Sequence, residues 1–205
     1  MKTKRIFIRF LILSTIMLFA CKASGDTKLR QSTIDELRKD YPITGQAPAN
    51  ITMIEPSLDL IYEASDSVLV LEITGDISHR VEDLLTGDAT LDEKLASHGL
   101  PGEVEYFAYP VRVLQDEMEI YEEGTELMIY NNAIFEDVTP KLEAGDRISI
   151  PLQTGHNKSE SIPFSVFGLY YITNDDYVLS AFNEKDGAFT GYHLERYLQE
   201  VSDYR

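Results

Sequence analysis

Cysteine occurs once in this chain of 205 residues, at Cys21, and tryptophan does not occur at all. A single cysteine excludes an intrachain disulfide and any CxxC redox or zinc motif. The four histidines, His79, His98, His156 and His193, include no pair at i+3 or i+4, so no zinc-type cluster is written in the chain. No Gly-x-Ser-x-Gly and no phosphate-binding loop is present, which removes the local signatures of serine hydrolases and P-loop enzymes. Positive charge is scarce as well, with 18 Lys and Arg against 35 Asp and Glu and a net charge of −17. Nucleic-acid binders carry basic patches, so no nucleic-acid partner is expected. The longest apolar run, Phe10 to Ala20, falls short of the ~20 residues that span a bilayer.

What is present begins at the amino terminus. Lys2, Lys4, Arg5 and Arg9 precede the run Phe10–Ala20, and Cys21 follows it directly. A basic region, a short apolar region and a small residue before the cut are the parts of an export signal. The stretch Leu18-Phe19-Ala20-Cys21 resembles the lipobox of bacterial lipoproteins, matching it at Leu18, Ala20 and Cys21 and departing from it at Phe19. The resemblance implies cleavage after Ala20 and a thioether-linked diacylglycerol on Cys21, which places the protein on the extracytoplasmic face of the cell membrane. Two acyl chains hold a protein stably where one does not. Two other readings stand beside it: an ordinary signal peptide with an incidental Cys21, and an uncleaved transmembrane helix interrupted by Arg9.

Loss of residues 1–20 removes four positive and no negative charges, so the net charge passes from −17 to −21. Such a body is repelled by anionic headgroups and wall polymers unless cations bridge them. Without a thiol, the core rests on apolar burial alone, supplied largely by twelve Tyr, nine Phe and the aliphatic residues. The chain beyond the signal is long enough for one such core.

Four segments are expected: the signal peptide 1–20, a polar tether 21–31, a helical and extended segment 32–64, and a β domain 65–205. Ser32 or Thr33 with Asp35 or Glu36 suggests a helix cap, ahead of Ile34 and Leu37. Pro42 to Pro56 reads as extended chain, and Leu58–Ser65 as one or two helical turns. Asp66–Gly75 is the clearest strand. Residues 76–103 read as a polar insertion holding a short helix around Leu91–Ala96. Val104–Leu114, Thr125–Tyr130, Arg147–Leu152, Ser165–Thr173 and Tyr177–Phe182 read as further strands, with a short one at Ala188–Thr190. Pro110 within the second strand predicts an edge position or a bulge. Thr154–Pro163 reads as a loop. A closing helix over Tyr192–Val201 has Leu194, Tyr197, Leu198 and Val201 on one stripe. The fold class expected is mainly β: a small OB-like barrel or sandwich of five to six strands, with a C-terminal helix and short N-terminal helices.

The order Ser65-Asp66 plus apolar strand, Tyr109-Pro-Val-Arg-Val113, Glu123-Gly124, Leu127–Tyr130, Gly145-Asp146-Arg-Ile-Ser-Ile150 and Val166–Phe182 resembles a recurrent domain of Gram-positive surface lipoproteins. It is similar to the netrin-like branch of the OB-fold, the fold of tissue metalloprotease inhibitors. Those inhibitors act through a free N-terminal cysteine. Cys21 is expected to carry lipid and lies far upstream, so inhibition is not carried over.

Acidic pairs recur at Glu82-Asp83, Asp92-Glu93, Asp116-Glu117, Glu122-Glu123 and Asp175-Asp176, mostly in expected turns. Asn174-Asp175-Asp176 and Asn183–Gly187 would offer oxygen ligands to calcium, but neither has the EF-hand spacing. Thr154-Gly155-His156 and Ser165 hold the elements of a triad without the constrained turn that a nucleophile needs. The tyrosines Tyr106, Tyr109, Tyr170, Tyr171, Tyr177 and Tyr192 crowd the second half, where they either pack the sheet or bind sugars or extended peptides. No catalytic, cofactor-binding or metal residue is assigned, and no cofactor is implied. The expectation is a non-catalytic module for a protein or envelope component, against which stands a surface hydrolase whose site is assembled from separated residues.

Overall fold

The computed structural model describes residues 28–44, 57–85, 87–98, 102–153, 160–182 and 188–204. Signal peptide, Cys21, most of the tether, His156 and the turn 183–187 lie outside them. The elements run α1 (Gln31–Leu37), α2 (Leu58–Glu63), β1 (Ser67–Ile73), β2 (Ser78–Asp83), α3 (Ala89–Ser97), β3 (Glu103–Asp116), β4 (Glu126–Asn132), a 3-10 turn (Ala133–Val138), β5 (Arg147–Leu152), β6 (Ser161–Pro163), β7 (Tyr170–Ile172), β8 (Val178–Ser180) and α4 (Leu194–Ser202). The chain is mainly β with short N-terminal helices and a helix at the C-terminal end, as its pattern predicts.

The strands form one mixed sheet in the order β6-β4-β3-β1-β5-β7-β8, with β2 paired to β3 beside β1. Two expectations change here. The strands number eight rather than five or six, and the sheet stays open, because no pairing among the described residues joins β6 to β8. The expected barrel is therefore not closed. β2 and β6 are the strands beyond the expected count. β2 has all six residues exposed, and β6 is three residues long and pairs parallel to β4, so neither carries an apolar alternation. Ala188–Thr190, expected as a strand, is a turn.

The central strand β1 is buried on both faces, which is why Val68 to Leu71 reads as an unbroken apolar run. Leu69, Leu71 and Ile73 join the larger core with Phe107, Val111, Val113, Ile129, Ile148, Ile150 and Leu169. Val68 and Val70 face the opposite way, into a second core with Tyr62, Tyr170, Val178, Phe189, Tyr197 and Val201. α4 supplies that cover, burying Tyr197, Leu198 and Val201 from its predicted stripe.

Pro110 lies inside β3, paired with Met128 on the β4 side, rather than on an outer edge. On the other side of β3 its carbonyl accepts the Thr74 amide at 2.9 Å. The N and O of an extended residue point to the same side. The missing N–H thus falls where β1 (Val111 onward) hands over to β2 (up to Ala108), so no bond to β4 is lost. The β3 bulge sits instead at Leu114, between the partners of Val70 and Leu71.

The N-terminal segment docks on the β8 end. The Leu29 amide donates to the Gly191 carbonyl (2.8 Å), the Thr44 amide to Ala181 (2.9 Å), and the Arg38 guanidinium to the Ser180 carbonyl (2.8 Å). Ile34 is buried there. Arg30, not Ser32 or Thr33, occupies the cap position of α1, and no side chain caps it. Ser57 caps α2, accepting from the Leu60 amide.

Candidate binding face

The outer face of β2, β3 and β4 follows from register. Arg80 stands opposite Tyr106, Tyr106 opposite Asn132, and Ala108 opposite Tyr130. Directly opposed residues share a face, so Arg80, Glu82, Tyr106, Tyr130 and Asn132 lie together, away from the larger core, which takes Phe107 and Tyr109. The Tyr106 and Tyr130 rings meet edge to face at 5.6 Å. The Arg80 guanidinium lies 5.7 Å from the Tyr106 ring and 5.1 Å from the Tyr130 ring, and it pairs with Glu82 at 2.9 Å. This cation–π stack ties together two half-buried phenols on the outer face of the sheet.

Further along the same strands the face passes into an open groove of about 580 Å³. Pro110, Thr125 and Met128 line it, with the carboxylates of Glu122, Glu126 and Glu160. Beyond it, charges alternate across four neighbouring strands. Glu126 opposes Arg112, Arg112 opposes Glu72, and Glu72 opposes Arg147. Arg112 meets Glu72 at 3.3 Å, and Arg147 meets Asp176 at 2.8 Å and the Thr173 carbonyl. These exposed pairs contribute little stability each; their effect is to keep the face wet between the tyrosines and α4.

The residues weighed for catalysis are not brought together. His79 bonds Glu136 at 2.8 Å, but both side chains are about two-fifths exposed, and no serine or threonine hydroxyl bonds that ring among the described residues. His98 ends α3 and bonds the Lys94 carbonyl. His193 is the cap residue before α4, and its Nδ1 is buried beside the Tyr177 ring without a hydrogen-bond partner among the described residues. Ser165 accepts from the Phe167 amide, a turn role. The acidic pairs divide in the same way. Asp83 accepts from the Leu85 amide, and Asp176 takes a positive φ in the β7–β8 turn. Among the described residues no His, Asp or Glu group forms a metal cage.

Asp116 is the residue whose role the sequence reading missed. Read as one of a solvated pair, it instead accepts from the Ser67 hydroxyl, the Met118 amide (3.1 Å) and the Tyr121 amide (2.8 Å), fixing the turn after β3. Its place at the end of a long strand, five residues before an aromatic, was the available signal.

Of the crowded tyrosines, Tyr109, Tyr170 and Tyr171 are core. Burial raises the Tyr109 phenol above its usual value, with the Leu142 backbone opposing and Glu136 adding to the rise. Burial likewise raises Tyr171, which donates to the Pro42 carbonyl. The Tyr62, Tyr197 and Ser149 hydroxyls form a buried chain with steps of 3.2 and 3.1 Å. Tyr177 and Tyr192 are half-buried at the α4 end, beside His193 and Arg196 respectively. Tyr106, with Tyr130 from the neighbouring strand, forms the half-buried pair on the outer face of β3 and β4.

No helix among the described residues is long and apolar enough to cross a membrane. In comparisons with known proteins, no family model, no curated protein and no solved structure matches this chain.

Proposed function

We propose that this chain is a lipid-anchored extracytoplasmic protein, held by diacylglycerol on Cys21 after cleavage behind Ala20, whose β domain is a non-catalytic module binding a protein or envelope component. The observation that carries the binding reading is the Arg80–Tyr106–Tyr130 stack on the outer face and its continuation into the Pro110–Met128 groove. A hydrolase needs a nucleophile and base converging in a cavity. A binder of an extended chain needs stiff aromatic anchors on an accessible sheet, with polar groups at the rim. The rim carboxylates Glu122, Glu126 and Glu160, together with the strongly negative body, favour a neutral or cationic partner.

The test is photo-crosslinking in the native envelope. A photoreactive side chain is placed at Tyr130 and, as a control, at Glu195 on the exposed side of α4 in the full chain. The reading expects a discrete adduct at position 130, absent at 195 and lost when Tyr106→Ala is added. Equal labelling at both positions, or labelling indifferent to Tyr106, would overturn it.

A further inference from the structure

The sheet treats its edges unequally. The β8 end is covered: the Val178 amide donates to Tyr192, the Gly191 amide to Val178, and the Leu29 amide to Gly191. Among the described residues β2 has no such cover. Its six residues are all exposed, and its one ladder among the described residues runs to β3. The Leu84 amide donates to the Gly102 carbonyl at 2.8 Å, continuing that ladder. Backbone groups alternate sides along a strand. Ser78, Arg80 and Glu82 therefore turn theirs inward to β3, while His79, Val81 and Asp83 turn theirs outward.

We propose that β2 pairs antiparallel with β2 of a second copy of this chain, about a two-fold axis through Val81. The outward groups belong to odd-numbered residues, so the copies must meet odd to odd. An axis at Arg80 sets Arg80 against Arg80, and an axis at Glu82 sets Glu82 against Glu82. An axis at Asp83 opposes two Asp83, and one at His79 opposes two histidines and leaves Glu82 unpaired. The axis at Val81 alone opposes Arg80 to Glu82 and His79 to Asp83, each twice, as an isologous contact requires. It also sets Val81, 60% exposed, against its own copy, and Ile77 against the exposed Leu85. Charges on an edge strand usually keep copies apart. Here their order along the strand is self-complementary in the antiparallel sense, which is the argument for a second copy over an unrelated peptide.

The register has a consequence for shape. Opposed residues share a face, so both Tyr106–Tyr130 stacks would lie on one side of a continuous sheet. Six residues a side make a small contact, of the weak and transient class. Copies held on one surface would pair far more readily than copies in dilute solution. The pairing itself does not rest on the anchor or on the binding reading.

The test uses the full chain in the membranes of cells that express it. In Val81→Cys the two sulfurs face each other across a hydrogen-bonded pair with Cα atoms about 5.5 Å apart, within disulfide reach. In Ser78→Cys the two positions lie about 20 Å apart. Mild oxidation is expected to link Val81→Cys chains and to leave Ser78→Cys and wild type unlinked. The mass of the linked peptide tells a bridge at position 81 from one at Cys21. In the Val81→Cys background, Arg80→Glu or Glu82→Arg alone is expected to lower the linked fraction roughly tenfold, since each turns two attractive pairs repulsive. The double reversal is expected to restore it. All these positions are exposed, and circular dichroism of each variant checks that the fold is kept. Equal linking at 78 and 81, absence of linking in folded Val81→Cys, or failure of the double reversal to restore it would each overturn the pairing.

Discussion

Asp116 ties the turn after β3 back to the first residue of β1. Its carboxylate takes one hydroxyl and two amides, and the Ser67 hydroxyl also accepts from the Met118 amide at 3.2 Å. Asp116→Ala leaves these donors unmatched in a half-buried place, at a cost of about 1–3 kcal/mol. Urea denaturation of the variant is expected to show that loss, whereas Glu123→Ala, at an exposed position in the turn before β4, is expected to change stability by less than about 0.5 kcal/mol. The Tyr62 phenol is held well above its usual value by burial, with Tyr197 and Tyr170 adding to the rise. The folded state keeps this proton where the unfolded chain gives it up. Its contribution is therefore complete below pH ~10 and is lost as pH rises past that value. Stability is expected to fall from pH 10 upward, and Tyr62→Phe is expected to flatten that fall. At neutral pH the same change removes one hydroxyl contact and costs about 0.5–1.5 kcal/mol. Melting curves from pH 7 to 11 on both chains check this; an equally steep alkaline fall in Tyr62→Phe would contradict it.

At the scale of elements, the strands that alternate or run apolar could be read from the chain, and those that do neither could not. β1, β3, β4, β5 and α4 fall within a residue or three of their expected bounds because burial writes their pattern. β2 is polar throughout, since it hangs from β3 alone. β6 is one buried residue, Ile162, between two that are not. Closure was the larger misreading. Strand count and turns do not reveal that the β8 end is finished by residues 29–44 and 190–192 rather than by β6. Gly191 makes that finish, with φ +86° and Ile34 Cδ1 only 3.1 Å from where a Cβ would stand. Gly191→Ala is expected to cost about 1–2 kcal/mol and to loosen the N-terminal segment. Limited proteolysis would then cut residues 28–44 before the sheet. On the other face, Tyr197→Ala strips α4 of its central ring and hydroxyl contacts. The cost is about 3 kcal/mol or more, read as a lowered melting temperature.

For the whole molecule, the proposed binding face was legible only as a surplus of tyrosines. Which of them are open depended on the β3–β4 register, and the arginine between them on β2. In the proposed reading, the open sheet, the Arg80–Tyr106–Tyr130 stack and the acidic rim form the surface that meets a partner, and the sequence before Lys28 supplies the reading of where. A net charge near −21 after processing repels anionic lipid, so retention at the membrane would rest on the acyl chains. The most direct measurement is the intact mass and membrane partition of the mature chain, wild type against Cys21→Ser, expressed in a bacterial host. The account predicts that wild type begins at residue 21, carries a diacylglycerol-sized mass and sediments with membranes, while Cys21→Ser stays unprocessed. Cleavage and release of both forms alike would contradict the anchor and make Cys21 an incidental residue of a freely secreted protein.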